Sequence, residues 1–98
     1  MDQPETVAVT ILIGNTVDKL SQRIWSHFAI AMHDTITNHV HQIQYRGGSD
    51  WDAPWQNACW VCEVTPQQLQ PLLNAVTDCR TDFLQDAAAV IVGDLMLV

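Results

Sequence analysis

Residues Gly47–Trp60 read GGSDWDAPWQNACW. Paired glycines, a Ser-Asp centre and Pro54 interrupt two runs of extended chain, so the segment reads as the loop of a hairpin. It also carries three of the four tryptophans. Trp60 falls where the second run has begun and alternates inward, which assigns it to the core. Trp51 and Trp55 flank Pro54 in the loop itself. Large rigid aromatics in a loop either close the end of a core or grip a partner. Because Trp is enriched among binding hot spots, Trp51 and Trp55 are candidate interface anchors.

The runs on either side alternate with period two. In Val40–Arg46, His41, Ile43 and Tyr45 share one side and Val40, Gln42 and Gln44 the other, as an edge strand would. In Asn57–Val64, Ala58, Trp60, Cys62 and Val64 form an apolar face, with Asn57, Cys59, Val61 and Glu63 on a mixed one. Further out, Thr6–Gly14 reads TVAVTILIG, a β-branched run that predicts a buried strand. Val7, Val9, Ile11 and Ile13 make its aliphatic face; Ala8, Thr10 and Leu12 make a softer one.

Two helices fill the gaps. Ser21 is a natural N-cap, and Ile24, Trp25, Phe28, Met32 and Ile36 follow at spacings of three and four. Thr65-Pro66-Gln67-Gln68 is a second helix start, with a capping Thr, Pro at the first position and Gln68 to complete a capping box. Leu69, Leu72, Leu73, Val76 and Phe83 continue it, and Pro71 predicts a kink or an irregular first turn. Ala87–Val92 is the fourth strand, Gly93-Asp94 a turn or bulge, and Leu95-Met96-Leu97-Val98 an apolar tail.

The order strand, helix, strand, strand, helix, strand resembles the ferredoxin-like plait. That resemblance spans the whole chain, 1–98, as one α+β domain with a four-stranded antiparallel sheet and both helices on one face. IGNT, Lys19-Leu20-Ser21-Gln22 and Pro54-Trp55-Gln56-Asn57-Ala58-Cys59-Trp60 are also similar to segments of small uncharacterised actinobacterial and actinophage proteins. No activity follows from that similarity.

A plait of this kind leaves one sheet face without a helix. Ala8, Thr10, Leu12, Asn57, Cys59 and Val61 fall there, with Gln42 and Gln44 toward the edge and Glu63 nearly alone in carrying charge. A solvated face normally alternates Lys, Glu and Thr, so this one suits self-association. The tail agrees, because exposing its apolar residues costs roughly 25 cal/mol per Å². Leu95 and Leu97 are therefore expected to fold back on their own sheet or to add to a neighbour's edge. A homo-oligomer is expected, with a further protein partner at the tryptophan loop.

Composition narrows the rest. Four Lys/Arg against eleven Asp/Glu give a net charge of −7, and Lys19, Arg23, Arg46 and Arg80 are scattered. No phosphate-binding patch results, so no nucleic-acid partner is expected, and the acids serve solubility. MDQPET has neither a basic nor an apolar leader region, and no run is long enough to span a membrane. Cys59, Cys62 and Cys79 are an odd set, which argues for thiols in a reducing cytoplasm.

Chemical motifs give little. Cys59 and Cys62 are spaced C-x-x-C, but on a strand they point to opposite faces, so they read as small core residues. His39 and His41 with Cys62 would begin a zinc site without a fourth ligand, so edge histidines are the simpler reading. Asp50 and Asp52 read as turn residues rather than calcium ligands. The α+β-barrel monooxygenases share the plait, and Trp60 lies on the strand matching their tryptophan. Their haem-degrading members also use an Asn from the first strand and a His from the second helix. Here the first strand has no Asn before Asn15, and the second helix has no His. The resemblance implies the architecture; no catalytic residue, cofactor or metal is expected. The competing reading is a dimeric, barrel-like small-molecule binder or enzyme, with a pocket near His41, Tyr45, Trp60 and Cys62.

Overall fold

A computed structural model describes residues 5–15, 20–50, 53–96 and 98. The elements run β1 (Val7–Gly14), α1 (Gln22–Thr37), β2 (Gln42–Gly48), β3 (Asn57–Val64), α2 (Pro66–Asp82) and β4 (Ala89–Gly93). All strand pairs are antiparallel, in the order β2-β3-β1-β4. This is the ferredoxin-like arrangement: β1 and β3 are central because each βαβ unit crosses over the strand of the other.

Register divides the sheet residues between two faces. Val9 pairs with Cys62 and Val92, and Ile11 with Trp60 and Val90. These pairs look toward the helices, where Val9, Ile11, Trp60, Cys62 and Val64 are wholly buried against Phe28, Met32, Ile36 and Leu72. The period-two pattern of β1 and the 3.6-residue stripe of α1 thus meet in one core. Phe28 joins the helices by stacking on Phe83, with ring centroids 5.0 Å apart.

Capping fixes where the helices begin. The Ser21 hydroxyl accepts the Ile24 amide at 3.3 Å. At α2 the Gln68 side chain reaches back to the Thr65 amide at 2.9 Å, with Pro66 inside the first turn. The helix runs through Pro71 without interruption, contrary to the expected irregular turn. Pro71 removes the N–H that would meet the Gln67 carbonyl, and both residues are exposed, so water replaces the lost partner. At its far end, Leu84 adopts a left-handed φ of 59°. The Gln85 amide donates to the Arg80 carbonyl and the Leu84 amide to that of Thr81, both at 2.9 Å. That pair of bonds is a Schellman turn, with leucine where glycine is preferred.

The hairpin loop is pinned by a buried amide cluster. Asn15, at the end of β1, donates from its side chain to the Leu20 carbonyl at 2.9 Å and to Gln56 Oε1 at 3.3 Å. Its Oδ1 accepts the Leu20 amide at 3.0 Å. Gln56 Nε2 donates to Gln22 Oε1 at 2.6 Å. Asn15 and Gln56 are almost fully buried, so these bonds satisfy groups that water cannot reach.

Candidate functional site

The face away from the helices carries three cross-strand rows. Tyr45, Val61, Thr10 and Ile91 lie side by side through the middle. Gly47, Cys59, Leu12 and Ala89 flank them on one side, and Gln42, Glu63, Ala8 and Gly93 on the other. Leu12, Tyr45 and Ile91 are exposed; Ala8, Thr10, Cys59 and Val61 are half-buried. Glu63 is the one charged strand residue among those rows. An apolar surface crossing all four strands results, where a water-facing sheet would carry alternating charge.

Tyr45 is on this face because of a β-bulge. The β2–β3 register shifts between Ile43 and Tyr45, leaving Gln44 as the extra residue. Strict alternation puts Tyr45 beside Ile43; one inserted residue turns it to the opposite side, next to Val61. A Cβ on Gly47 would run into its ring, so the tyrosine lies along its own strand over the glycine. The grouping of His41, Tyr45, Trp60 and Cys62 is therefore not brought together. Trp60 and Cys62 are buried on the helix side, Tyr45 stands on the far side, and His41 is exposed just before β2.

The two sheet edges differ. β2 has the bulge and Arg46, both of which discourage another strand from pairing. β4 reads AVIVG, with no charge, proline or bulge. Ile91 and Val92 are exposed on it, and beyond it Leu95, Met96 and Val98 are exposed too. In the loop, Trp55 is 74% exposed. Trp51 and Leu97 lie outside the described residues.

On the helix side, Trp60 is the centre of a ladder that sequence reasoning missed. Its indole N–H donates to His33 Nδ1 at 3.0 Å, which requires the His33 proton to sit on Nε2 when the ring is neutral. The Arg46 guanidinium carbon lies 5.9 Å from the Trp60 ring centroid. His33 is off the apolar stripe of α1, so its spacing marks it as surface. The Ile43–Tyr45 bulge is what places Arg46 opposite Trp60. An extra residue in the ladder leaves no local mark that period-two counting detects.

Burial keeps two of the three thiols, Cys62 and Cys79, protonated and poorly nucleophilic. Burial, and secondarily Cys59, pushes the Cys62 thiol up to about 11. Burial also raises Cys79, against a lowering hydrogen bond from Thr35. Cys59 faces outward and Cys62 inward, so the C-x-x-C pair spans the sheet. His39 Nδ1 is 2.7 Å from the Thr35 carbonyl oxygen. Among the described residues no three His, Cys, Asp or Glu side chains are placed to hold a metal ion, and no helix is long and apolar enough to cross a membrane.

No family model and no curated protein matches this chain. Among solved structures it is similar to a hydroxynitrile lyase from Passiflora edulis, with a TM-score of 0.61 and 11% sequence identity. The match covers 98% of each chain. At that identity the likeness shows the fold alone.

Proposed function

We propose that this chain is a small self-associating interaction protein, with the bare sheet face as its contact with a second copy. The observation that carries the reading is the uncharged row of Tyr45, Val61, Thr10 and Ile91 across all four strands. Matching like faces about a two-fold axis buries the same patch twice, the usual geometry of small homo-oligomers.

Size supports a contribution from the tail. Four strands ~4.8 Å apart and about six residues long at ~3.4 Å make a plane of roughly 400 Å². A standard interface covers about 800 Å² per partner. Exposed Leu95, Met96 and Val98 follow the C-terminal end of β4 along the chain, and their apolar surface is proposed to add to the contact. Trp55 is the proposed anchor for a different protein, since its indole already stands in water. A cytoplasmic location and kinship with the small actinobacterial and actinophage proteins belong to the same proposal and rest on sequence.

Light scattering after size exclusion tests it, at micromolar protein. The expected mass is twice the 11.0 kDa of one chain. Val61→Lys puts a charge at the middle of the patch, and burying it unpaired should weaken association by at least about 100-fold. Trp55→Ala should leave both mass and thermal midpoint unchanged. A monomer at every concentration, or a dimer indifferent to Val61→Lys, overturns the reading.

A further inference from the structure

Beside the hairpin, α1 and the ends of β2 and β3 enclose an open groove of about 370 Å³. Trp25 and Ala29 line it from the helix, Arg46, Gly48 and Ser49 from the strand side of the turn, and Ala58 from below. Its emptiness has a cause in the register. The next row of the sheet toward the core is Arg46, Trp60, Ile11 and Val90, which fills the space under the helices. The row at the groove is Gly48, Ala58 and Ile13, and Ala29 sits above it. Gly48 has no room for a side chain: a Cβ there would stand 2.5 Å from the Asn57 carbonyl oxygen. Strand pairing itself keeps the groove open.

Arg46 gives that space a chemistry. Arg80 is used internally, donating to the Gln85 carbonyl at 3.0 Å. Arg46 has no hydrogen-bond or carboxylate partner among the described residues, and its guanidinium is held beside the Trp60 ring. A planar guanidinium positioned by an aromatic ring keeps its N–H donors available for a carboxylate. The Ser49 hydroxyl lies at the same end, where it accepts the Asn57 amide at 2.9 Å. Trp25, largely buried in the core, shows the groove an edge, Ala29 and Ala58 add methyl groups, and Gly47, Gly48 and Asn57 complete a lining that is more polar than apolar. The net charge of −7 opposes a polyanion, which favours a ligand with one negative charge.

We propose that this groove binds a small aromatic monocarboxylate, its carboxylate on the Arg46 guanidinium and its ring along Trp25, Ala29 and Ala58. The volume is at the lower end of the range for small-molecule sites, which suits one ring and one acid group. The site is on the helix side of the sheet, so it stands or falls independently of self-association.

Amide-resolved NMR titrations with benzoate, benzamide and benzylamine test the proposal. Benzoate should give saturable shifts centred on Ala29, Gly48, Ser49 and the Trp25 indole. Benzamide, of the same shape without the charge, should bind about tenfold more weakly, and benzylamine more weakly still. Arg46→Gln should cost benzoate about tenfold and leave benzamide unchanged. Ala29→Leu fills the groove without touching Arg46 and should abolish both, with the remaining spectrum intact. Equal binding of benzoate and benzamide, indifference to Arg46→Gln, shifts centred elsewhere, or no saturation by ~20 mM overturns it.

Discussion

Replacing His33 with Ala should destabilise the fold through a residue it does not touch covalently, the buried Trp60. The Trp60 side chain has no solvent exposure, and its indole N–H donates to His33 Nδ1 at 3.0 Å. Removing the acceptor leaves a donor that water cannot reach, at a cost of about 1–3 kcal/mol. The lower figure holds if a water follows the missing imidazole into the gap. For a domain of this size each kcal/mol lowers the thermal midpoint by about 4–8 °C. Urea unfolding followed by far-ultraviolet circular dichroism measures the change without relying on tryptophan emission. Trp60→Phe supplies the control, because it deletes the donor while keeping an aromatic ring. In that background His33→Ala should cost only its own packing, so the two substitutions should couple by about 1 kcal/mol. Equal costs of His33→Ala with and without the indole, to within about 0.3 kcal/mol, would refute the reasoning.

Two further outcomes follow from other parts of the fold. Leu84→Gly relieves a left-handed backbone and removes an exposed leucine, so the thermal midpoint should rise by the equivalent of about 1 kcal/mol; a fall would mean the side chain contributes packing. The Cys62 thiol is raised from 9.0 to about 11, so the unfolded chain ionises it first. Its contribution is complete below pH 9.0 and is lost as pH rises through about 11. Compared from about pH 8 to about pH 11, the urea midpoint of the natural chain should fall relative to that of Cys62→Val, which has no thiol to ionise at that position; a difference that does not change with pH would refute this.

Elements with a strong local period were legible in the sequence. β1 and β3 run as their alternation predicts, and Ser21 and Thr65 mark the two helix starts. Each of these signals lies within a few residues of the structure it specifies. Tyr45 was not legible, because alternation has no way to count an inserted residue. It is the pairing with β3 that reveals Gln44 as the extra one. Asn15 looks like a strand terminator, yet its side chain ties β1 to Leu20 and to Gln56 across the hairpin. His33 and Arg46 look like surface residues until Trp60 is set between them. Their roles depend on partners from other elements, and a single chain read in order does not contain that information.

Neighbours Trp55 and Gln56 have opposite fates: one indole in water, one amide hydrogen-bonded in the interior. The rigid footing under that indole means a visiting molecule need not freeze a floppy tether, so less chain entropy is forfeited at docking. Loosening Gln22 or Asn15 would therefore blunt the contact proposed for Trp55 at a distance, with every atom of the indole still in place.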